Sequence, residues 1–265
     1  MSEDKQPATP VPAATILLLR EGDPQLEVFM VVRHHQIDFA SGALVFPGGK
    51  ADPQDFDVAL LPFLRGADAR EDMRAVQVAS IREAFEECGI LLARSQGSDA
   101  IISGEHLARL QDAREPLNSG TLPLLDFLTR EKLELACDQL THFAHWITPP
   151  MMPKRFDTHF YLAIAPSDHL AVHDGYESVD SVWIQPDQAV AEAAAGKRTV
   201  IFPTLRNIEK LGTFQSPGAA IEATAAGDVI PVLPWTEQRE DGTFLCIPPE
   251  AGYAISEEKM PERAG

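Results

Sequence analysis

The sequence predicts an α/β fold, and three observations carry that expectation. Apolar runs of strand length open the chain, a three-four repeat of apolar residues begins near Met73, and strand-like and helix-like segments then alternate. The chain has 265 residues, 45% of them hydrophobic, enough for one large domain with an insert. We place a flexible polar lead-in at 1–12, the domain at 13–250 and a tail at 251–265.

"ATILLLR" (14–20) and "LEVFMVVRH" (26–34) flank the turn composition "EGDPQ" and read as a β-hairpin. "GALVFPGGKADPQD" (42–55) reads as a brief strand entering a tight Gly-Gly turn, followed by an acidic segment without a period. From Met73 a helix is expected, with Val78, Ile81, Phe85 and Cys88 on its apolar face and Gly89 at its C-cap. Residues 95–135 carry two amphipathic pieces, "GEHLARLQDA" and "LPLLDFLTREKL", between Ser/Gly/Asp punctuation, and read as a helical insert against the core. Strands are expected in "AHWITPP", in "RFDTHFYLAIA" (155–165) and in the second half of "DGYESVDSVWIQP". Helices follow in "PDQAVAEAAAG", "FPTLRNIEKLGTF" and "PGAAIEATAAGD", and a hairpin in "VIPVLPWTEQREDGTFLCIPP".

Charge narrows the function. A formal net charge of −18 repels nucleic acid and anionic membranes, so neither is expected as a partner. It would also repel a phosphate-bearing small molecule unless bound cations invert the local field. No apolar run approaches the roughly 18 residues of a membrane span, and the N-terminus lacks the pattern of a secretory signal. Cys88, Cys137 and Cys246 are odd in number and widely spaced, which reads as buried free thiols in a reducing cytoplasm.

"IREAFEECGI" (81–90) is where cations are expected. On a helix Glu83, Glu86 and Glu87 share a face at a repulsive cost of a few tenths of a kcal/mol per pair. Clustered carboxylates suit hard, oxygen-seeking cations such as Mg²⁺ or Mn²⁺. Arg82 precedes Glu86 by one turn and can orient it, while Gly48 and Gly49 let backbone approach a ligand or offer a carbonyl to a metal.

These residues resemble the box of the Nudix hydrolases: glycine, five residues, glutamate, seven residues, then Arg-Glu-aliphatic-any-Glu-Glu-any-Gly-aliphatic. Arg82, Glu83, Glu86, Glu87, Gly89 and Ile90 are in register, with Ala84 at the aliphatic position. Gly49 opens the first half, but Asp55 stands where glutamate is expected, and residues 56–81 form a long interruption. A split box resembles the branch that includes the mammalian peroxisomal coenzyme A diphosphatases. The likeness continues through "WITPPMMPKRFDTHFYLA" and "YESVDSVWIQPDQA" and covers about 13–250. Gly42 to Gly49 matches a coenzyme A-associated element, although Ile37 and Asp38 replace the Leu-Arg pair before it.

The resemblance implies an α/β/α sandwich with a mixed central sheet. It implies a metal-dependent hydrolase that cleaves a nucleoside-diphosphate-linked anhydride by water attack. Coenzyme A or an acyl derivative is the favoured substrate, cut to 3′,5′-ADP and 4′-phosphopantetheine. An ADP-ribose or nucleotide-sugar diphosphatase is the alternative enzyme, and a nucleotide sensor without catalysis the alternative of another class. Implied metal ligands are Glu86, Glu87, Glu83 and the Gly48 carbonyl, with Glu83 also placed to position water and Arg82 to orient carboxylates. A later acid is expected at Glu177, with Asp180 second, and a homodimer is compatible with the fold.

For phosphate contact Lys50, Arg155 and Arg33 are the candidates, Arg155 having an ion pair with Asp157 as its structural alternative. His34 and His35 alternate on a strand and make a poor metal pair. His142 and His145 lack carboxylate company in the local sequence and read as packing residues in a helix-to-strand region. "PERAG" does not end in the peroxisomal Ser-Lys-Leu signal, and the expected location is cytoplasmic.

Overall fold

The computed structural model describes residues 7–33, 42–169 and 178–260. A mixed eight-stranded sheet runs through it. β1 (Val11–Arg20) and β2 (Glu27–Arg33) form the expected hairpin, followed by β3 (Leu44–Val45) and β4 (Gly48–Lys50). The helix α1 (Glu71–Cys88) then crosses the sheet. β5 (Ala93–Ser95), α2 (Gly104–Ala108), α3 (Arg114–Asn118), α4 (Leu124–Glu131) and β6 (Leu133–Leu135) make up the insert. β7 (Thr141–Ile147), β8 (Phe156–Ile164) and β9 (Ser178–Ile184) return to the sheet, and α5 (Pro186–Ala194), α6 (Phe202–Leu211) and α7 (Pro217–Ala225) follow. β10 (Pro231–Val232) joins the sheet edge, while β11 (Trp235–Arg239), β12 (Gly242–Cys246) and β13 (Glu257–Lys259) form a small antiparallel sheet.

The main sheet runs β10-β7-β8-β1-β2-β3, with β4 added to β1 and β9 to β2. β1 is its axis. It pairs with β8 in parallel along one edge, while its other edge is shared between β2 at the Arg20 end and β4 at the Ala13 end. Alternation along β1 separates the two cores as a two-residue period requires. Ile16 and Leu18 pack with α1 and the insert, whereas Leu17 and Leu19 pack toward α5, α6 and α7. Helices therefore cover both faces, and the layered α/β arrangement expected from the sequence is the one observed.

The insert is closed at its neck by β5 pairing with β6, which sequence reading did not anticipate. Phe127 stacks on Phe85 of α1 with ring centroids 5.8 Å apart, and both rings are buried. Each such burial is worth about 1.5–3 kcal/mol, so the insert is fastened to the helix it covers. Two further stretches differ from expectation. β1 already begins at Val11, inside the presumed lead-in, and β13 lies inside the presumed tail. All three cysteines are buried free thiols. Among the described residues no helix is long and apolar enough to cross a membrane.

Candidate active site

The position of the acidic residues follows from what α1 buries. Val78, Ile81, Phe85 and Cys88 are fully or almost fully buried, which fixes the rotation of the helix. Glu83, Glu86 and Glu87 are then carried to its last turns, facing β4. Gly89 ends the helix in the left-handed conformation, φ 70°, with Ile90 N–H donating back to the Ala84 carbonyl. From the insert, Arg114 donates through Nε and Nη2 to the Glu86 carbonyl at 3.2 and 3.0 Å and satisfies one of the otherwise orphaned acceptors of the last turn. Nothing local in the sequence marks Arg114 for this task.

The Gly-Gly pair is not the tight turn expected from composition. It is extended strand, paired with Ala14 and Thr15 of β1. Its glycines are required by proximity: a Cβ on Gly48 would lie 2.3 Å from the Ala14 carbonyl oxygen, and one on Gly49 would lie 2.4 Å from Glu83 Oε1. This closeness lets the Gly48 N–H donate to Glu87 Oε2 at 3.0 Å, which locks that carboxylate against the strand.

Arg82 is the hub. Its Nε and Nη2 donate to the two oxygens of Asp55, both at 3.0 Å, in the fork geometry that suits a carboxylate. Nη1 donates to Glu83 Oε1 at 3.0 Å and Glu86 Oε2 at 2.8 Å, and Nη2 also reaches the Lys50 carbonyl at 3.1 Å. Asp55 is presented by a short 3₁₀ turn at 53–56, where the Asp52 N–H holds its second oxygen at 2.8 Å. The residue standing at the box glutamate position thus reaches a helix residue 27 positions further along the chain, Arg82. Burial works against charge on Arg82, but Asp55, Glu83 and Glu86 outweigh it and raise its pKa.

One guanidinium serves three carboxylates, and the imbalance shows on Glu86. Burial pushes its carboxyl up to about 8, Arg82 pulls it back, and Glu83 and Asp55 add to the rise. Its Oε1 is buried with no hydrogen-bond partner. A shielded, oxygen-only set with an unsatisfied acceptor and excess negative charge fits a hard dication, with Glu86, Glu87 and Glu83 as the side chains that would hold it. The Gly48 backbone is adjacent, its N–H already bound to Glu87.

The remaining candidates disperse. The Lys50 side chain is exposed at the end of β4. Arg155 is committed elsewhere: Nε donates to the Thr148 carbonyl and Nη1 to the Ala8 carbonyl, both at 2.8 Å. The alternative ion pair with Asp157 is not formed, and Asp157 pairs with His145 Nε2 instead. The backbone of Arg33 ends β2 opposite Ser178, and its side chain lies outside the described residues. Glu177, His34 and His35 also lie outside them. Asp180 is exposed on β9, where it accepts the Ser181 N–H. His142 and His145 both lie in β7 rather than in a helix-to-strand region; their rings pack with His159, and Asp157 supplies a carboxylate partner for His145 that the local sequence lacked.

Comparison with known proteins identifies the family. A family model described as the NUDT19 Nudix domain matches residues 66–211. A putative nudix hydrolase 7 of Caenorhabditis elegans is 26% identical over 186 residues, covering 69% of this chain and 55% of that protein. An acyl-coenzyme A diphosphatase NUDT19 of Xenopus laevis is 22% identical over 229 residues, covering 71% and 60%. The chain therefore spans less than two thirds of the length of these relatives. Among solved structures, a NUDIX hydrolase from Alicyclobacillus acidocaldarius superposes with a TM-score of 0.70 at 26% identity, covering 83% of this chain and 99% of that one.

Proposed function

The chain belongs to the Nudix hydrolase family, in its NUDT19-like branch, and from that premise we propose that it is a divalent-metal-dependent diphosphatase. We infer coenzyme A or acyl-coenzyme A as the favoured substrate, cleaved by water to 3′,5′-ADP and 4′-phosphopantetheine. The observation that carries the catalytic reading is the buried, unpartnered Oε1 of Glu86 within the carboxylate set. The substrate class rests on the activity for which the Xenopus laevis relative is named and on the Gly42–Gly49 element.

Mg²⁺ or Mn²⁺ held there would neutralise diphosphate oxygens and lower the pKa of a bound water. The chain's own residues supply position. Arg82 holds Glu83 and Glu86 in one orientation. The Gly48 N–H fixes Glu87. Glu83, packed against Gly49 and 14% exposed, is the acid best placed to meet a water arriving from solvent and to take its proton. A sensor without catalysis would have no use for an acid kept buried without a partner. A cytoplasmic location is supported by the three buried free thiols, which a reducing compartment preserves.

The test is Mg²⁺-dependent turnover of coenzyme A, acetyl-coenzyme A, ADP-ribose and a nucleotide sugar, with products identified by mass spectrometry. Release of 3′,5′-ADP from a coenzyme A substrate is expected, together with at least a roughly 100-fold loss in Glu86→Gln. Rapid ADP-ribose cleavage beside intact coenzyme A would reassign the substrate. Unchanged metal binding and turnover in Glu86→Gln would overturn the catalytic reading.

A further inference from the structure

We propose that His145, His159 and Asp157 form a second metal site that takes a transition dication of the Zn²⁺ class, chemically distinct from the carboxylate site on α1. The ligand atoms of these three residues all lie within 4.8 Å of one another. A tetrahedral Zn²⁺ with bonds of about 2.1 Å needs an edge of about 3.4 Å, so closing the set requires the stacked His145 and His159 rings to turn toward a common point. Two imidazoles and one carboxylate suit Zn²⁺, whereas Mg²⁺ favours oxygen alone.

The sheet builds this cluster by register. His145 and His159 are direct cross-strand partners on β7 and β8, and their rings stack at 4.1 Å. Asp157 is two residues along β8, hence on the same face. A register shift between His142 and Ala144 changes the parity of β7 and brings His142 to this face as well. His142 Nε2 lies 3.0 Å from His159 Nδ1, the kind of outer contact that orients a ligand ring. None of these residues takes part in the network around Arg82.

The location gives the site its interest. Gly49 pairs with Ala14, Ala14 with His159, and His159 with His145, so one row across the sheet joins the glycine strand to the histidine cluster. Gly49 to His159 is two strand spacings, about 10 Å. Tyr161, next on the same face of β8, packs against Met73 and Val76 of α1. The cluster therefore flanks the N-terminal half of the helix whose other end carries the glutamates. Three protein ligands would leave a coordination position open toward water or an anionic group.

The test is direct metal binding by the full chain, stripped of metal and held in excess Mg²⁺ so that the carboxylate site is occupied. Competition with a chromophoric zinc chelator should show about one equivalent of tightly bound Zn²⁺. Co²⁺ should give visible d–d bands, and X-ray absorption of the zinc form should show imidazole scattering. His145→Gln and His159→Gln should each weaken binding by more than about 100-fold, beyond the loss expected of an outer contact. Glu86→Gln and Glu87→Gln should leave it unchanged, which separates this site from the proposed catalytic one. An oxygen-only shell in the wild-type protein would overturn the proposal even if a histidine variant failed to fold. So would Zn²⁺ binding that survives both histidine substitutions, or its loss in the glutamate variants.

Discussion

Arg82 and Arg239 do the same thing in two different places. Arg82 gathers Asp55, Glu83 and Glu86 on α1, and Arg239 gathers Glu237 and Glu257 on the small sheet of β11, β12 and β13. The nitrogen–oxygen distances overlap, 2.8–3.0 Å in the first and 2.8–3.3 Å in the second. Burial separates them. The side chains of Arg82, Asp55 and Glu86 are 6%, 0% and 3% exposed, whereas those of Arg239 and Glu257 are 33% and 49% exposed. Water screens the outer cluster and solvates its members when they part, so pairing there adds little. The inner cluster has no such refuge. Taking its charges out of water is costly, and removing one member leaves the others stranded. Within it, Glu86 Oε1 is buried with no hydrogen-bond partner, and Glu86 is the acid we propose as a ligand for the dication.

The widest gap between the two clusters should appear on removing the hub. Arg82→Met leaves buried carboxylates without a partner and should cost about 3–5 kcal/mol in urea unfolding without added metal. A loss well below 1 kcal/mol would show the cluster to be hydrated. The glycine strand comes next. Gly48→Ala drives a methyl onto backbone at Ala14 and should cost roughly 1–3 kcal/mol. Gly49→Ala meets the Glu83 carboxylate, a side-chain end that can shift at the expense of its Arg82 contact, so it should lower turnover more than stability.

Acidity sharpens the comparison further. The Glu86 carboxyl is raised from 4.5 to about 8 in the fold. Its proton therefore stabilises the metal-free protein fully below the unfolded value, and that stability is lost as pH rises through about 8. A dication must displace the same proton. Mg²⁺ affinity should rise about tenfold per pH unit below that value, and Glu86→Gln should flatten the slope in isothermal titration. The smallest effect belongs to the outer cluster, where Arg239→Gln should leave both the unfolding midpoint and Mg²⁺ affinity unchanged.

How much of this was legible depended on the range of the interactions. α1 was readable because Val78, Ile81, Phe85 and Cys88 announce one face and Gly89 its end, all within the helix itself. The glutamate cluster was readable for the same reason. β4 was not, since two glycines have little strand preference and become strand only where β1 presses against them. The fate of Arg155 was hidden because its carbonyl acceptors, at Thr148 and Ala8, are set by the fold. The histidine cluster was not legible as a group because its carboxylate stands 12 residues beyond His145, and a bulge reverses the strand parity that would otherwise separate His142 from His145.

The parallel seam between β1 and β8 has a consequence for how the polypeptide comes into being. Its partners, beginning with Val11 and Phe156, stand 145 positions apart. At ribosomal speeds of about 5–20 residues per second, β1 waits roughly 7–30 s for the strand that completes its second edge. During that interval the acidic helix has already emerged while the scaffold beneath it is half built. Completion of the central sheet therefore waits for arrival of the 156–164 segment, a non-local pairing of the kind that slows folding.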